Sequence, residues 1–211
     1  MDLEYWNNYY RKKITSREPS SFAIFCMKNY FSKGMCIVEL GSGNCRDSDF
    51  FSKNGLKVYA IDQSHEAYVL EKDRLNQQTN NSIVLIESDF TTDSFDLDHK
   101  VDAFYSRFTM HSISESQQND LISNVFMKLE NEGLFCIEAR TINDPMYGKG
   151  TKLGKNEYFT DHYRRFIDIN DFILYSQDIG FSVIYSNESN GLSVIGDDDP
   201  SLLRIVMRKN S

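Results

Sequence analysis

Short apolar runs alternate with segments of helical periodicity along most of the chain. The first five runs lack a regular polar alternation, which is typical of strands buried on both faces of a sheet. The predicted strands are 36–40, 57–61, 83–87, 101–106, 133–138, 181–186 and 202–208. This pattern predicts an α/β fold in which helices cover both faces of the sheet.

Helical periodicity fills several of the intervals between the strands. Pro19 is expected at the start of a helix whose apolar positions recur up to Gly34. Ser114 and Gln117 form a capping-box pattern before an apolar helical face. A last helix is predicted over 169–177.

Residues 141–165 interrupt this rhythm. They contain three glycines, scattered polar residues and weak periodicity, which predicts a long excursion over one end of the sheet. The acidic turn at Asp197, Asp198 and Asp199 is instead expected to be a solvated tip and not a metal site.

Composition and charge limit the possible partners and the location of the protein. With 211 residues, of which 40% are hydrophobic, the chain is expected to form one globular domain over 1–211. The net charge of −8 argues against a nucleic-acid or membrane partner, because both present phosphate groups that attract positive charge. No stretch is apolar enough for a secretory signal or a bilayer span, so we expect a cytoplasmic protein.

The four cysteines do not indicate a metal site. Cys26, Cys36, Cys45 and Cys136 are too widely spaced for a zinc or dithiol motif. We expect them to be reduced and mostly structural, and we predict no metal ligands.

The run ELGSGNCRDS, residues 39–48, reads as a strand that leads through a glycine turn into a helix. A turn for a nicotinamide or flavin dinucleotide would have a third glycine where Arg46 stands. The Gly-Lys-Ser/Thr of a phosphate-binding loop is also missing. What remains is an acidic residue, Glu39, followed by Gly41 and Gly43.

A carboxylate beside such a turn suits a cationic or hydroxyl-rich ligand. S-adenosylmethionine carries an ammonium and a sulfonium group. Asp62 ends the second strand, where it can accept hydrogen bonds from ribose hydroxyls. Beyond the third strand, Asp89 offers a carboxylate to an adenine amino group and Phe90 a ring to cover the base. We therefore predict S-adenosylmethionine as the cofactor.

From Met35 through the final strand, the sequence resembles class I S-adenosylmethionine-dependent methyltransferases. ELGSGNCRDS resembles the E-L-G-x-G-N-G-R-D-S form of their first motif, and FYSRFTMHSI, EAR and HYRRFI resemble signatures of a subgroup in bacterial surface-polysaccharide (capsule) biosynthesis. The resemblance implies a Rossmann-like, doubly wound seven-stranded sheet with an antiparallel last strand. Cys45 replaces a family glycine, and we expect cofactor binding to survive because a thiol is small.

The resemblance maps cofactor roles onto Glu39, Gly41, Gly43, Asp62 and Asp89. Six further residues are predicted to line the cofactor site: Tyr10, Ser42, Asp47, Gln63, Phe90 and Ser106. Residues 1–33 are predicted to form an N-terminal helical lid. Its aromatic residues either pack as part of a helix or shield the sulfonium from water: Tyr5, Trp6, Tyr9 and Tyr10.

The segments that leave the carboxyl ends of the strands are the candidates for acceptor binding. Between residues 140 and 165 there are six basic residues and three acidic ones, in a chain that is otherwise acidic. This excess predicts a small anionic acceptor held by guanidinium groups, with a solvated helix edge or salt bridges as the alternative. The predicted substrate-binding residues are Arg107, Arg140, Tyr163, Arg164 and Arg165. His111 and His162 are each either a general base or a packed, hydrogen-bonded residue.

We therefore expect an O-methyltransferase that acts on a small anionic sugar or nucleotide-linked precursor of a bacterial surface glycan. An N- or S-methyltransferase, or a non-catalytic subunit that binds S-adenosylmethionine, is the alternative. A nucleic-acid methyltransferase is disfavoured by the acidic charge and by SRFTM after the fourth strand, where base-amino methylation typically uses Asn-Pro-Pro-aromatic. The sequence specifies neither the acceptor nor the oligomeric state.

Overall fold

The computed structural model describes residues 2–12, 16–77, 82–92, 97–194 and 196–211, so residues 1 and 13–15 of the predicted lid lie outside the described part. The helices are α1 (Leu3–Lys12), α2 (Ser21–Asn29), α3 (Arg46–Lys53), α4 (His65–Asn76), α5 (Glu115–Lys128) and α6 (Ile169–Ile179). The strands are β1 (Cys36–Leu40), β2 (Lys57–Asp62), β3 (Ile83–Glu87), β4 (Val101–Arg107), β5 (Leu129–Arg140), β6 (Thr151–Gly154), β7 (Glu157–Phe159), β8 (Tyr163–Arg165), β9 (Phe181–Ser189) and β10 (Leu202–Lys209). A 3₁₀ turn covers Met110–Ser112.

Seven strands form the main sheet in the order β3-β2-β1-β4-β5-β10-β9. Strands β1 to β5 pair in parallel, whereas β10 is antiparallel to both β5 and β9. The structure confirms the predicted doubly wound sheet with an antiparallel last strand. The strand order reverses between β1 and β4, which is where such sheets open a ligand crevice beyond the carboxyl ends.

The sheet has a hydrophobic layer on each face. Phe104 packs with Leu121 of α5 and Phe172 of α6, whereas the next residue, Tyr105, packs with Phe22 of α2 in the opposite layer. Successive side chains of a strand point to opposite faces, so β4 contributes to both layers. Burial on both faces explains why the centre of β4, Ala103 to Tyr105, is an unbroken apolar run.

The edge strand β3 departs from the prediction. Its Val84 side chain is 42% exposed, so burial on both faces is wrong for this strand. An edge position leaves one side of β3 unpaired and partly solvated.

The predicted lid needs correction, and the predicted excursion contains strands of its own. Helix α2 begins at Ser21 and buries Phe22 and Cys26 in the core, so of the two N-terminal helices only α1 remains a candidate lid. Residues 141–165 contain a second sheet of three antiparallel strands, in the order β6-β7-β8. Short strands joined by glycine and polar turns show too little periodicity to be recognised in the sequence.

In the part of the chain that the structure describes, no helix is both long and apolar enough to cross a membrane. All four cysteines are free, as predicted.

Candidate active site

The glycine turn lies between β1 and α3, at the reversal of the strand order. Gly41 and Gly43 have φ angles of +72° and +51°, which favour glycine. The backbone N–H groups of Gly41 and Ser42 both donate to the carbonyl of Ile61, at 2.8 and 2.9 Å. These bonds fix the turn against the end of β2.

Asp62 at the end of β2 organises the same turn. Its Oδ2 accepts the N–H of Gly43 at 2.8 Å and its Oδ1 accepts the N–H of Ser64 at 2.8 Å. Burial raises the pKa of Asp62, while these two backbone donors lower it. The next side chain, Gln63, has a buried Nε2 with no hydrogen-bond partner among the described residues. A ligand acceptor at this position would satisfy it.

Cys45 adopts the left-handed conformation that the expected glycine would favour, with φ at 54°. Its side chain is fully buried. A non-glycine residue in this region carries a strain of about 1 kcal/mol. The turn therefore keeps the backbone shape of the motif despite the substitution.

Glu39 lies buried beneath the turn and accepts a hydrogen bond from Ser48 Oγ. Burial, followed by the nearby Asp47, raises the pKa of the Glu39 carboxyl well above its usual range. A bound ammonium or sulfonium group would favour the ionised form. The buried carboxyl group at the turn thus suits a cationic ligand.

Asp47 is not open to a ligand in this arrangement. Its carboxylate accepts the N–H and the hydroxyl of Ser20, both at 2.7 Å, and the hydroxyl of Tyr105 at 2.8 Å. These contacts anchor the start of α2 to the sheet. Asp47 therefore anchors α2 and does not offer the predicted contact to the cofactor, because all three of its hydrogen-bond donors belong to the protein.

Ser106, Thr109 and Phe90 approach the turn from the side of β3 and β4. Ser106 is hydrogen-bonded to Thr109, and a Cβ atom added to Gly41 would overlap Thr109 Cγ2 and lie 3.7 Å from the ring of Phe90. Phe90 is almost completely buried, so its ring supports the turn from within the core. Asp89 Oδ1 accepts the N–H and the hydroxyl of Thr91, which holds this carboxylate beside the crevice.

Helix α1 lies over the glycine turn. A Cβ atom added to Gly43 would overlap the hydroxyl of Tyr10. Asn7 Oδ1 accepts the Ser64 hydroxyl at 2.8 Å, and Arg11 pairs with Glu66 on α4 at 2.6 Å. Burial, followed by Asp62, raises the pKa of Tyr10 well above its usual range. Helix α1 is therefore the candidate for the predicted lid, and its Tyr10 hydroxyl reaches the turn.

His111 lies in the 3₁₀ turn that follows β4 and is buried. Its Nδ1 accepts the backbone N–H of Arg140 at 3.5 Å. Burial lowers the pKa of His111 well below its usual range, and Arg140, Arg164, His162 and Arg165 lower it further. The imidazole is consequently neutral at pH 7.

His162 lies before β8 and contacts the other end of α1. Its ring centroid is 4.1 Å from that of Tyr5 and 5.8 Å from that of Trp6. Nδ1 is 3.1 Å from Asp161 Oδ2, although the contact lacks hydrogen-bond alignment. Burial, followed by Arg164, lowers the pKa of His162, and Asp161 partly raises it. The two predicted histidines thus lie close enough for His162 to lower the pKa of His111, and His162 packs against α1.

Arg107 and Arg140 are occupied by carboxylates. Arg107 pairs with Glu138 at 3.0 Å. Arg140 pairs with Asp144 at 3.0 Å and also with Asp198. Asp198 is exposed, as expected for a solvated tip, but its carboxylate also reaches Arg140. Both arginines, predicted to bind the substrate, are therefore held in salt bridges within the protein.

Arg164 and Arg165 are separated by the alternation of β8. Arg164 donates to Asp161 at 2.8 Å, next to His162. Arg165 is buried and donates to the Ile113 carbonyl at 2.9 Å and to Gln118 Oε1 at 2.6 Å. Neighbouring strand residues point to opposite faces, so the two guanidinium groups do not form the predicted joint clamp.

Tyr163 points to the same side as Arg165. Its hydroxyl is buried and has no hydrogen-bond partner among the described residues. Burial, followed by Glu157, raises the pKa of this phenol. On this side of β8, Arg165 contacts the turn that carries His111.

The family model for the methyltransferase domain matches residues 37–133, which contain the glycine turn, Asp62, Asp89 and the turn that carries His111. Residues 37–133 form a methyltransferase domain, and S-adenosylmethionine is its cofactor. The residues that would hold the cofactor are those of the glycine turn together with Asp62 and Gln63. A comparison with curated proteins finds no match.

Solved structures of low identity share the fold of this methyltransferase. One, from Methanosarcina mazei, is an S-adenosylmethionine-dependent methyltransferase with 16% identity and a TM-score of 0.76, covering 87% of this chain and 96% of its own. The glycopeptide N-methyltransferase MtfA, complexed with S-adenosylmethionine, has 17% identity and a TM-score of 0.70, covering 92% and 88%. The 1,6-didemethyltoxoflavin-N1-methyltransferase of Burkholderia thailandensis has 13% identity and a TM-score of 0.72, covering 100% and 84%.

The sequence analysis did not identify two residues that lie beside the candidate histidines. Asp161 contacts Tyr5, His162 and Arg164, but in the sequence it is only one acid among several. Phe108, whose φ is 59°, places its ring 5.5 Å from that of His111. A bulky residue in this conformation is strained, as is common at functional sites, and no sequence signal announces it.

Proposed function

We propose that the methyltransferase transfers a methyl group to a hydroxyl of a small molecule, with a neutral histidine as the proton acceptor. The observation that carries this proposal is the pair of buried histidines, one in the turn after β4 and one before β8, both with a lowered pKa. When bound, the cofactor supplies an electrophilic methyl group on its sulfonium. A hydroxyl must lose its proton as it bonds to that carbon, and a neutral imidazole in place can take it.

The charges around His111 favour oxygen over nitrogen as the methylated atom. Besides burial, the surrounding arginines lower the pKa of His111, so their field at this position is positive even though several of them are paired. The same field disfavours an acceptor that arrives as an ammonium ion and stabilises a developing alkoxide. An amine is the second candidate acceptor, because N-methyltransferases are among the similar structures.

The positive field also supports an anionic acceptor, although the described residues around His111 form no free guanidinium fork. An anion would have to share Arg164 with Asp161. The resemblance of FYSRFTMHSI and HYRRFI to the surface-polysaccharide subgroup supports a sugar or nucleotide-linked precursor as the acceptor.

The test is methyl transfer from labelled cofactor to matched pairs of compounds. Each hydroxyl compound, taken from nucleotide-linked sugars and glycerol phosphates, is paired with its amino counterpart. We expect a methyl mass increment on a hydroxyl compound and none with Asp62→Ala, which removes the carboxylate at the turn. Methylation of the amino member alone would contradict the proposal.

A further inference from the structure

His111 and His162 are the two candidate proton acceptors, and the hydrogen-bond partners of their Nδ1 atoms distinguish them. His111 Nδ1 accepts the backbone N–H of Arg140. A neutral imidazole carries one proton, so that of His111 is on Nε2, which makes this nitrogen a donor. His162 Nδ1 has no such donor facing it. It is buried, and Asp161 Oδ2 lies 3.1 Å away.

The protein holds the Asp161 carboxylate in place from three sides. Its Oδ1 accepts the hydroxyl of Thr160 and Arg164 Nη1, each at 2.8 Å. Its Oδ2 accepts the Tyr5 hydroxyl of α1 at 3.3 Å. The hydrogen bonds from Thr160 and Arg164 help to lower the pKa of Asp161 despite its partial burial, so it stays ionised. A fixed, ionised carboxylate beside an unpaired ring nitrogen is the arrangement that selects one imidazole tautomer.

We propose that Asp161 is the positioning residue for His162, holding the imidazole proton on Nδ1 so that Nε2 is the atom that receives the acceptor's proton. The inference rests on the proposed hydroxyl methylation. The acceptor O–H bond breaks, its proton bonds to Nε2, the oxygen bonds to the methyl carbon, and the electron pair of the broken carbon–sulfur bond stays on sulfur. The proposed step requires a small rotation of the ring that aligns Nδ1 with Oδ2, since catalytic hydrogen bonds often tighten only when substrate binds.

The only tryptophan of the chain, Trp6, reports on His162 without any acceptor. Protonated imidazole quenches a nearby indole, so Trp6 fluorescence against pH measures the titration of His162. The charged groups that face His162 are Asp161 and Arg164 beside it, Asp2 next to α1 and His111 in the turn after β4. Among these, Asp161 is the carboxylate that contacts the ring.

The experiment compares Asp161→Asn with the wild type. Loss of the carboxylate should move the fluorescence midpoint to lower pH by about 1 unit, because the charged imidazole loses its partner. The acid limb of the kcat/KM profile should move in the same direction, and kcat should fall about 10²-fold while KM changes little. Asp178→Asn replaces an exposed carboxylate on α6 and should change neither the fluorescence midpoint nor kcat. His162→Gln should abolish the fluorescence transition.

An unchanged midpoint in Asp161→Asn overturns the positioning role, whatever the acceptor proves to be. A shifted midpoint with an unchanged kcat overturns the role of His162 as proton acceptor. Failure of the proposed function is separate from both outcomes, because it would show as methylation of amino compounds alone in the acceptor panel.

Discussion

Asp62 Oδ2 accepts the backbone N–H of Gly43 at 2.8 Å, while its other oxygen accepts the N–H of Ser64. One carboxylate thus joins the glycine turn to the start of α4. The same residue is predicted to hold the ribose of the cofactor. Its loss would therefore affect both the shape of the turn and the contact with the ligand.

Asp62→Asn should weaken binding of S-adenosylhomocysteine by about 1.5 to 3 kcal/mol. An amide has one oxygen and an NH₂ group, so it cannot accept both backbone donors. Titration calorimetry measures the change, with NAD as a ligand that should not bind either protein. Equal affinity in a folded variant would show that the ribose is held elsewhere.

Gly41→Ala should abolish cofactor binding and destabilise the fold. Its new Cβ would overlap Thr109 Cγ2, in addition to the cost of a positive φ. Gly191→Ala is the matched control, because Gly191 has a φ of +74° but nothing within 4 Å of an added Cβ. The control should lose about 1 kcal/mol of stability and keep its affinity. Equal losses of stability and affinity in both variants would show that the positive φ angle, and not the overlap with Thr109, causes the effect.

The sequence predicted most of the main sheet because its signals are local. Strands β1 and β3 have the predicted bounds, since an apolar run ends where the strand meets a polar turn. Strand β5 begins at Leu129, before the predicted 133–138, because Glu130, Asn131 and Glu132 are exposed and break the apolar pattern. The glycine turn and Asp62 were predictable for the same reason: their roles follow from a strand end and its neighbours.

The acceptor region could not be predicted to the same depth, because its contacts join distant parts of the chain. Arg140 and Asp198 are 58 positions apart, and Tyr5 and Asp161 are 156 apart. A count of basic residues cannot show which of them are paired. The alternation that separates Arg164 from Arg165 also depends on β8, a strand too short to leave a periodic signal.

The lowered pKa of His111 predicts a loss of stability at acid pH. Well above pH 6.5 the imidazole is neutral in both the folded and the unfolded chain, so it does not make the free energy of unfolding depend on pH. As the pH falls below 6.5, the unfolded chain binds a proton that the folded chain resists, so the free energy of unfolding falls until the pH reaches the folded pKa. Between pH 6.5 and pH 5 this loss is up to about 2 kcal/mol.

Urea unfolding at pH 7 and pH 5 measures this effect in the wild type and in His111→Gln. The variant lacks the titrating group, so its stability should differ less between the two pH values, even if it is less stable at both. His162→Gln should show a similar but smaller effect, because burial and Arg164 also lower the pKa of His162, partly offset by Asp161. An identical acid loss in wild type and His111→Gln would mean that other groups cause it.

Arg165 should act through the turn that carries His111 and not through an acceptor anion. Its Nε donates to the carbonyl of Ile113, and its Nη2 donates to Gln118 and, at 3.4 Å, to the carbonyl of Met110. The guanidinium therefore bridges the backbone on both sides of the histidine. Arg165→Lys keeps the charge but cannot span these acceptors, so the free energy of unfolding should fall by about 1 to 3 kcal/mol.

The kinetics of Arg165→Lys separate this role from anion binding. A displaced His111 turn lowers kcat and leaves KM and the affinity for S-adenosylhomocysteine nearly unchanged, whereas a lost contact to an acceptor anion would raise KM. Arg208→Lys is the control, because this arginine is exposed and lies 3.6 Å from Glu132; its stability should change by less than about 0.5 kcal/mol. A raised KM in Arg165→Lys with normal stability would restore the anion clamp and contradict the bridging role, because a group that binds only the acceptor contributes nothing to folding.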